Sequence, residues 1–388
     1  MKQKLLAVLA ALKSKGFLTV LTVIIFFAWG TLAWFTGNLL MADRLELLSL
    51  IRLATYGAAV AAVFLRSALR RVSDEVFLIV GSALCVVGLV LMTRPGLLPV
   101  GYLLVGLTRI ILIPANLGFV SRVLGPKGAT ITTAGAFYLA NAVLSPVIAW
   151  LVKRQMWRIG LWVAVFLVVS SVATTWLARP TQPQVETEGN KEEAQAAPNL
   201  RALGEGTITF VGIQLTFGIL ALAVFPLAEA TLGELEGAGS LEAMRQIASL
   251  IGVLATLSYR GSFNLRFWLG VQALGLVSLA LGVRFAIPSL VYFGLVVDGV
   301  AFSVLERASE VAYLTGLQGL PSSGVVIQAL DAATRISIGA GELFVAFTPL
   351  YVSLYCALAL PLMLILLLNW PAAKRTIARR LYAVARKE

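Results

Sequence analysis

Apolar and polar positions in this chain do not alternate; they come in blocks. Apolar runs of roughly 18–25 residues recur from end to end, the length a helix needs to cross about 30 Å of hydrocarbon. They predict spans near 17–37, 46–65, 76–93, 97–120, 131–152, 158–178, 206–228, 243–259, 267–283, 286–313, 324–347 and 350–369, twelve in all. The stretches between them hold Gly, Pro, Asn or charge, as in "TRPG" at 93–96, "LGPKG" at 124–128 and "QGLPSSG" at 318–324. A membrane β-barrel would show weak alternation in ten-residue segments instead. The pattern predicts an all-α polytopic membrane protein.

One connection stands apart. Residues 179–205, "RPTQPQVETEGNKEEAQAAPNLRALGE", are polar, acidic and Pro-containing, the composition of a flexible linker. It divides the chain into a six-helix bundle over 16–178 and a second over 206–370. The start, "MKQKLLAVLAALKSKG", has a basic flank and an apolar middle but no small-residue cleavage site, so residues 1–15 are expected to form an amphipathic helix on the membrane surface. Residues 371–388 form a basic tail.

Composition agrees: 59% of residues are hydrophobic and 13% charged, about half the charged share of an ordinary soluble domain. With the N-terminus inside, 20 of the Lys and Arg residues fall on the cytoplasmic side and 7 outside. That bias places both termini in the cytoplasm, in a cytoplasmic (inner) membrane. The net charge of +12 then reflects topology and attraction to anionic lipid headgroups, and is no sign of nucleic acid. Cys85 and Cys356 both lie inside predicted spans, where packing is the expected role rather than a disulfide or metal site. Histidine is absent, which rules out a Ser-His-Asp set and the usual neutral-pH proton shuttle. No cofactor loop, metal-ligand cluster or nucleophile–base pair is legible, so no enzyme is expected. Any proton coupling must run through carboxylates.

Charges inside the spans therefore hold the interest, because one at the bilayer centre costs at least about 2.5–3.5 kcal/mol on insertion scales. At about 1.5 Å of rise per residue, Asp298 sits roughly 18 Å into the tenth span and Arg109 roughly 18 Å into the fourth, both near the midplane. Glu306, Arg307 and Glu310 lie roughly 30 Å or more in, near the cytoplasmic surface. Arg307 and Glu310 are spaced to pair, with Glu306 in water; the alternative is an inner gate that closes on the basic loops. On the eleventh span, Asp331, Arg335 and Glu342 fall within some 40° of one face. Asp331 and Arg335 are spaced to neutralise each other, whereas Glu342 has no partner on its own helix and is a candidate proton carrier. Asn116, Asn141 and Gln214 are polar positions within spans, open to ligand binding or to interhelical hydrogen bonds.

Twelve helices in two sixes, a polar central loop and cytoplasmic ends resemble the major facilitator superfamily. Locally, "IPANLGFVSRVLGPKGATITTAGAFYLAN" at 113–141 is similar to the family's passage from helix four to helix five. "GLTRIILIPANLGF" in the first half has a weak counterpart in "GLVVDGVAFSVLER" in the second, as two homologous halves would leave. The loop after the second helix, "FLRSALRRVSDE", keeps basic residues but lacks the glycines and central Asp of the family's usual G-x-x-x-D-R-x-G-R, and no subfamily is assigned. The resemblance implies a central cavity lined by helices one, four, seven and ten, with Arg109 and Asp298 facing it from opposite halves. There Arg109 would clamp an anionic group and Asp298 would carry a proton or cation. The implied function is secondary active transport of a small or amphipathic solute by alternating access, with a proton or other coupling ion. Two alternatives stay open: a transporter-like subunit that scaffolds a membrane complex with protein partners, and a lipid or lysolipid permease or flippase.

Overall fold

The computed structural model describes residues 15–68, 74–178, 199–258, 263–317, 323–370 and 377. The expected surface helix at 1–15, most of the basic tail and most of the central linker lie outside these. The described residues form α-helices and short 3-10 turns: α1 (Lys15–Leu40), α2 (Leu45–Ala68), α3 (Asp74–Met92), α4 (Leu98–Lys153), α5 (Trp157–Ala178), α6 (Leu200–Leu232), α7 (Ala238–Ser258), α8 (Leu265–Arg284), α9 (Pro288–Leu317), α10 (Ser323–Phe347) and α11 (Leu350–Asn369). Among the described residues, seven helical stretches are long and apolar enough to cross a membrane, and Val76–Met92 is a shorter apolar helix. Phe166, Trp176 and Leu366 are 69%, 61% and 70% exposed on the outer surface. Apolar faces that open are stable against lipid, where no water has to be ordered around them. The chain is an integral membrane protein.

Two boundaries differ from the sequence reading. α6 begins at Leu200, inside the stretch read as linker, because Asn199 caps it by accepting a hydrogen bond from the Ala202 amide at 3.1 Å. At its other end, Gly233 takes the left-handed conformation that closes the helix (φ 72°). α7 begins at Ala238, several residues earlier than expected, so Glu242 and Arg245 belong to the helix and are buried rather than lying in an outer loop.

The largest difference is α4. Helical hydrogen bonding runs through the expected turn at 124–128 without a break. The helix is nevertheless not straight. A Cβ on Gly30 of α1 would meet Arg109 Nε at 3.6 Å, and Phe27, three residues earlier, packs edge-on against Phe137 with centroids 5.7 Å apart. A straight helix would separate positions 109 and 137 by about 42 Å, while positions 27 and 30 are only about 5 Å apart along α1. The chain must fold back, and it does so beyond Leu124, which still lies beside Gly16. The fold-back falls between Leu124 and Phe137, the stretch of sequence that contains Gly125, Pro126 and Gly128. The turn expected at 124–128 lies in the stretch where α4 folds back, and the helix assignment continues through it.

Contacts group the chain into two compact units, Met1–Asp43 with Phe64–Thr187, and Arg44–Val63 with Glu188–Glu388. Most of α2 thus belongs by packing to the second unit, although it sits in the first half of the sequence. In that unit, Ile213, Leu269, Phe302, Leu305 and Leu364 form an apolar core shared by α6, α8, α9 and α11. Glycines let its helices touch. A Cβ at Gly275 of α8 would meet the Gly294 carbonyl oxygen of α9 at 2.9 Å, and one at Gly341 of α10 would meet the Leu215 carbonyl oxygen of α6 at 2.5 Å. Gly341→Val should therefore force α6 and α10 apart at a cost of about 1–3 kcal/mol, seen as a lower melting temperature of the purified protein.

Candidate functional site

α2 meets α10 through charge. Arg52 and Tyr56 stand one turn apart on α2 and so share a face. The Arg52 guanidinium pairs with Glu342 Oε1, and the Tyr56 hydroxyl donates to the same oxygen at 3.2 Å. Gly339, one turn before Glu342, leaves room for Leu53 and Tyr56 to approach. The side chains of Arg52 and Glu342 are 4% and 0% exposed. Among the described residues, Glu342 Oε2 accepts no hydrogen bond. Glu342 has no partner on its own helix, as the sequence suggested; its partner is an arginine two hundred and ninety positions away. Arg52 was legible as a charge within a span, and the spacing of Arg52 to Tyr56 was a signal that one polar face of α2 is buried.

A second buried network joins α7, α8 and α9. Asp298 is 2% exposed and accepts from Gln272 Nε2 of α8 at 3.1 Å. Its carboxylate is thus turned onto α8 within its own unit. The Arg245 guanidinium grips Glu242 with two hydrogen bonds, 3.2 Å from Nε and 3.0 Å from Nη2, and lies 4.8 Å above the Phe217 ring. Gln246 donates to the same carboxylate at 2.5 Å. Arg245 is also close enough to act on Asp298 electrostatically. One guanidinium thus binds one buried carboxylate and acts on a second. Glu242, Arg245, Gln246 and Gln272 were not among the residues singled out by sequence; the first two read as part of an outer loop that the early start of α7 takes into the helix.

Toward the end of α9, Arg307 and Glu310 form the expected pair at 2.7 Å. Glu306 is not left to water: Gln214 of α6 donates to it at 3.2 Å. On α10, Asp331 and Arg335 pair at 2.9 Å, one turn apart as their spacing predicted, with side chains 47% and 19% exposed. Glu342 is separate from them in both environment and partner.

In the first unit, the Arg109 guanidinium stacks 5.3 Å over Trp34, which itself stacks on Tyr102 at 4.7 Å. Asn116 is 3% exposed. Asn141 donates to the Phe137 carbonyl of its own helix at 2.8 Å. No group of three or more His, Cys, Asp or Glu side chains that could hold a metal ion occurs among the described residues, and Cys85 and Cys356 are free thiols.

No protein-family model matches the sequence. No curated protein matches it either. Solved structures do match its fold. A mutant form of the nucleoside transporter NupG superposes with a TM-score of 0.62 at 13% identity, covering 91% of this chain and 98% of that one. The human organic anion transporter TETRAN gives 0.62 at 12% identity, covering 91% and 99%. A structure from work on proton-dependent oligopeptide transporters gives 0.63 at 14% identity, covering 96% and 99%. At such identities the likeness is one of fold.

Proposed function

Starting from the major facilitator fold, which this chain has, we propose that it is a secondary active transporter. It moves a small or amphipathic solute across the cytoplasmic membrane by alternating access, through twelve spans arranged as two six-helix halves. The observation that carries the reading is the buried Glu342 carboxylate, bonded to α2 through one oxygen with the other left over. A membrane protein that needed only packing here would be served by apolar residues, which often match or exceed a buried ion pair in stability.

The chemistry follows from that oxygen. While Glu342 is ionised, Arg52 neutralises it and α2 is held to α10. A proton on Oε2 cancels the negative charge. The guanidinium cannot lose its own proton, so it stays charged and buried while its pairing with the Glu342 carboxylate is lost, a costly change in a desolvated setting. α2 is then driven off α10, which couples proton uptake to a change of access. Arg109, stacked on Trp34, supplies a planar cation that can hold a carboxylate or phosphate in two hydrogen bonds. Asp298 joins the polar network as a second proton or cation site, and Asp331 with Arg335 completes it. Glu306, Arg307 and Glu310 act as an inner gate. The nucleosides, organic anions and oligopeptides named for the structural neighbours point to a small polar organic solute.

A thermal-shift screen of purified protein against solute libraries tests this reading, because a ligand of the folded state raises its melting temperature. At least one small organic anion should stabilise the protein, exchange with its labelled form in proteoliposomes, and lose its effect in Arg109→Gln. A screen with no stabilising solute, on protein shown to be folded, would favour a scaffolding subunit.

A further inference from the structure

A small cavity lies inside the first unit, where α1, α3, α4 and α5 meet. Its polar lining comes from Thr22, Ser82, Asn116, Ser171 and Thr175. Each of these is at least nine-tenths buried. Three of the hydroxyl hydrogens are already committed to their own helices: Thr22 donates to the Leu18 carbonyl at 2.8 Å, Ser171 to Val168 at 2.8 Å and Thr175 to Ser171 at 2.7 Å. Those oxygens keep only lone pairs for the cavity. Asn116 Oδ1 accepts no hydrogen bond from any described residue. A buried amide oxygen is rarely left so, because it has surrendered its hydration and received nothing in exchange. The lining therefore calls for a guest that gives hydrogens or positive charge.

Charge decides between a cation and a neutral donor. No acidic residue is among the described residues that line the cavity. A desolvated cation without a countercharge is strongly disfavoured, whereas a neutral donor meets no such cost. We propose that this cavity is a binding site for a water molecule, which gives one hydrogen to Asn116 Oδ1 and the other to a hydroxyl oxygen of α1 or α5. Such a water ties α4 to its neighbours with two to four hydrogen bonds. Asn116 then serves the interior of the first unit and not the solute.

The sign of one substitution distinguishes a hydrated cavity from a dry one. In a dry cavity, Asn116→Leu removes an unsatisfied amide with little change of shape and should raise the melting temperature or leave it unchanged. In a hydrated one, it removes a satisfied amide and strands the water, so the melting temperature should fall by a few degrees. A rise would overturn the proposal. The parent protein should melt at the same temperature in sodium chloride and in choline chloride of equal ionic strength. A sodium-specific rise that Asn116→Leu abolishes would replace the water by a cation and overturn the proposal as well. If the variant does not fold, an experimental map of the full chain in lipid nanodiscs, at a resolution that shows ordered water, decides. Density within hydrogen-bond distance of Asn116 Oδ1 is expected, and none there would refute the site.

Discussion

Glu342→Met should destabilise the protein by about 3–5 kcal/mol, because it takes from the buried Arg52 guanidinium the carboxylate it pairs with. Arg52→Met should cost less. The stranded Glu342 carboxylate can take a proton and become neutral, an escape closed to the guanidinium. The double variant should recover most of the loss, since two apolar side chains of similar volume pack where an ion pair stood. Melting temperatures of the four proteins in one detergent give the coupling between the two residues directly. Equal single losses that simply add would mean that the two side chains do not act on one another. Tyr56→Phe, which deletes one hydrogen bond to Glu342, should have a much smaller effect, about 1 kcal/mol.

The second large effect is expected at Arg245. This one guanidinium serves Glu242 through two hydrogen bonds and acts on Asp298 from nearby. Arg245→Met leaves two buried carboxylates without a cation and should cost at least as much as Glu342→Met, reducing the yield of folded protein severely. Arg245→Lys should recover only part of this, because an ammonium cannot reproduce the two-pronged grip or lie flat over Phe217. Adding Glu242→Gln and Asp298→Asn to Arg245→Met should restore folding. If the triple variant folds no better than the single one, charge compensation is not what Arg245 provides.

Much of this was readable from the residues. Apolar block lengths gave the class and most helix limits, because hydrocarbon thickness imposes length directly on sequence. The i,i+3 and i,i+4 pairs, Arg307 with Glu310 and Asp331 with Arg335, were readable because both partners lie on one helix, whose geometry is fixed. The partners of Glu342, Asp298 and Glu306 were not. Arg52, Gln272 and Gln214 lie on other helices, and which helices touch is decided by packing over hundreds of residues. Glu242 and Arg245 were misplaced for a related reason. Charge near a span's edge reads as loop, yet a neutralised pair is compatible with the interior. The fold-back of α4 shows the opposite limit: "LGPKG" reads as a break between two spans, while the helix continues from Leu98 to Lys153 through it.

In the proposed mechanism, protonation of Glu342 drives a change of access that moves solute. Its most direct test is uptake into proteoliposomes of a solute found by thermal shift, with and without an imposed pH gradient, for the parent protein and Glu342→Gln. The parent should accumulate the solute only with the gradient. Glu342→Gln, neutral at every pH, should bind the solute and lose the response to the gradient. Gradient-driven accumulation by Glu342→Gln at the parent's rate would contradict the mechanism, and no uptake by folded, solute-binding parent protein would contradict transport itself.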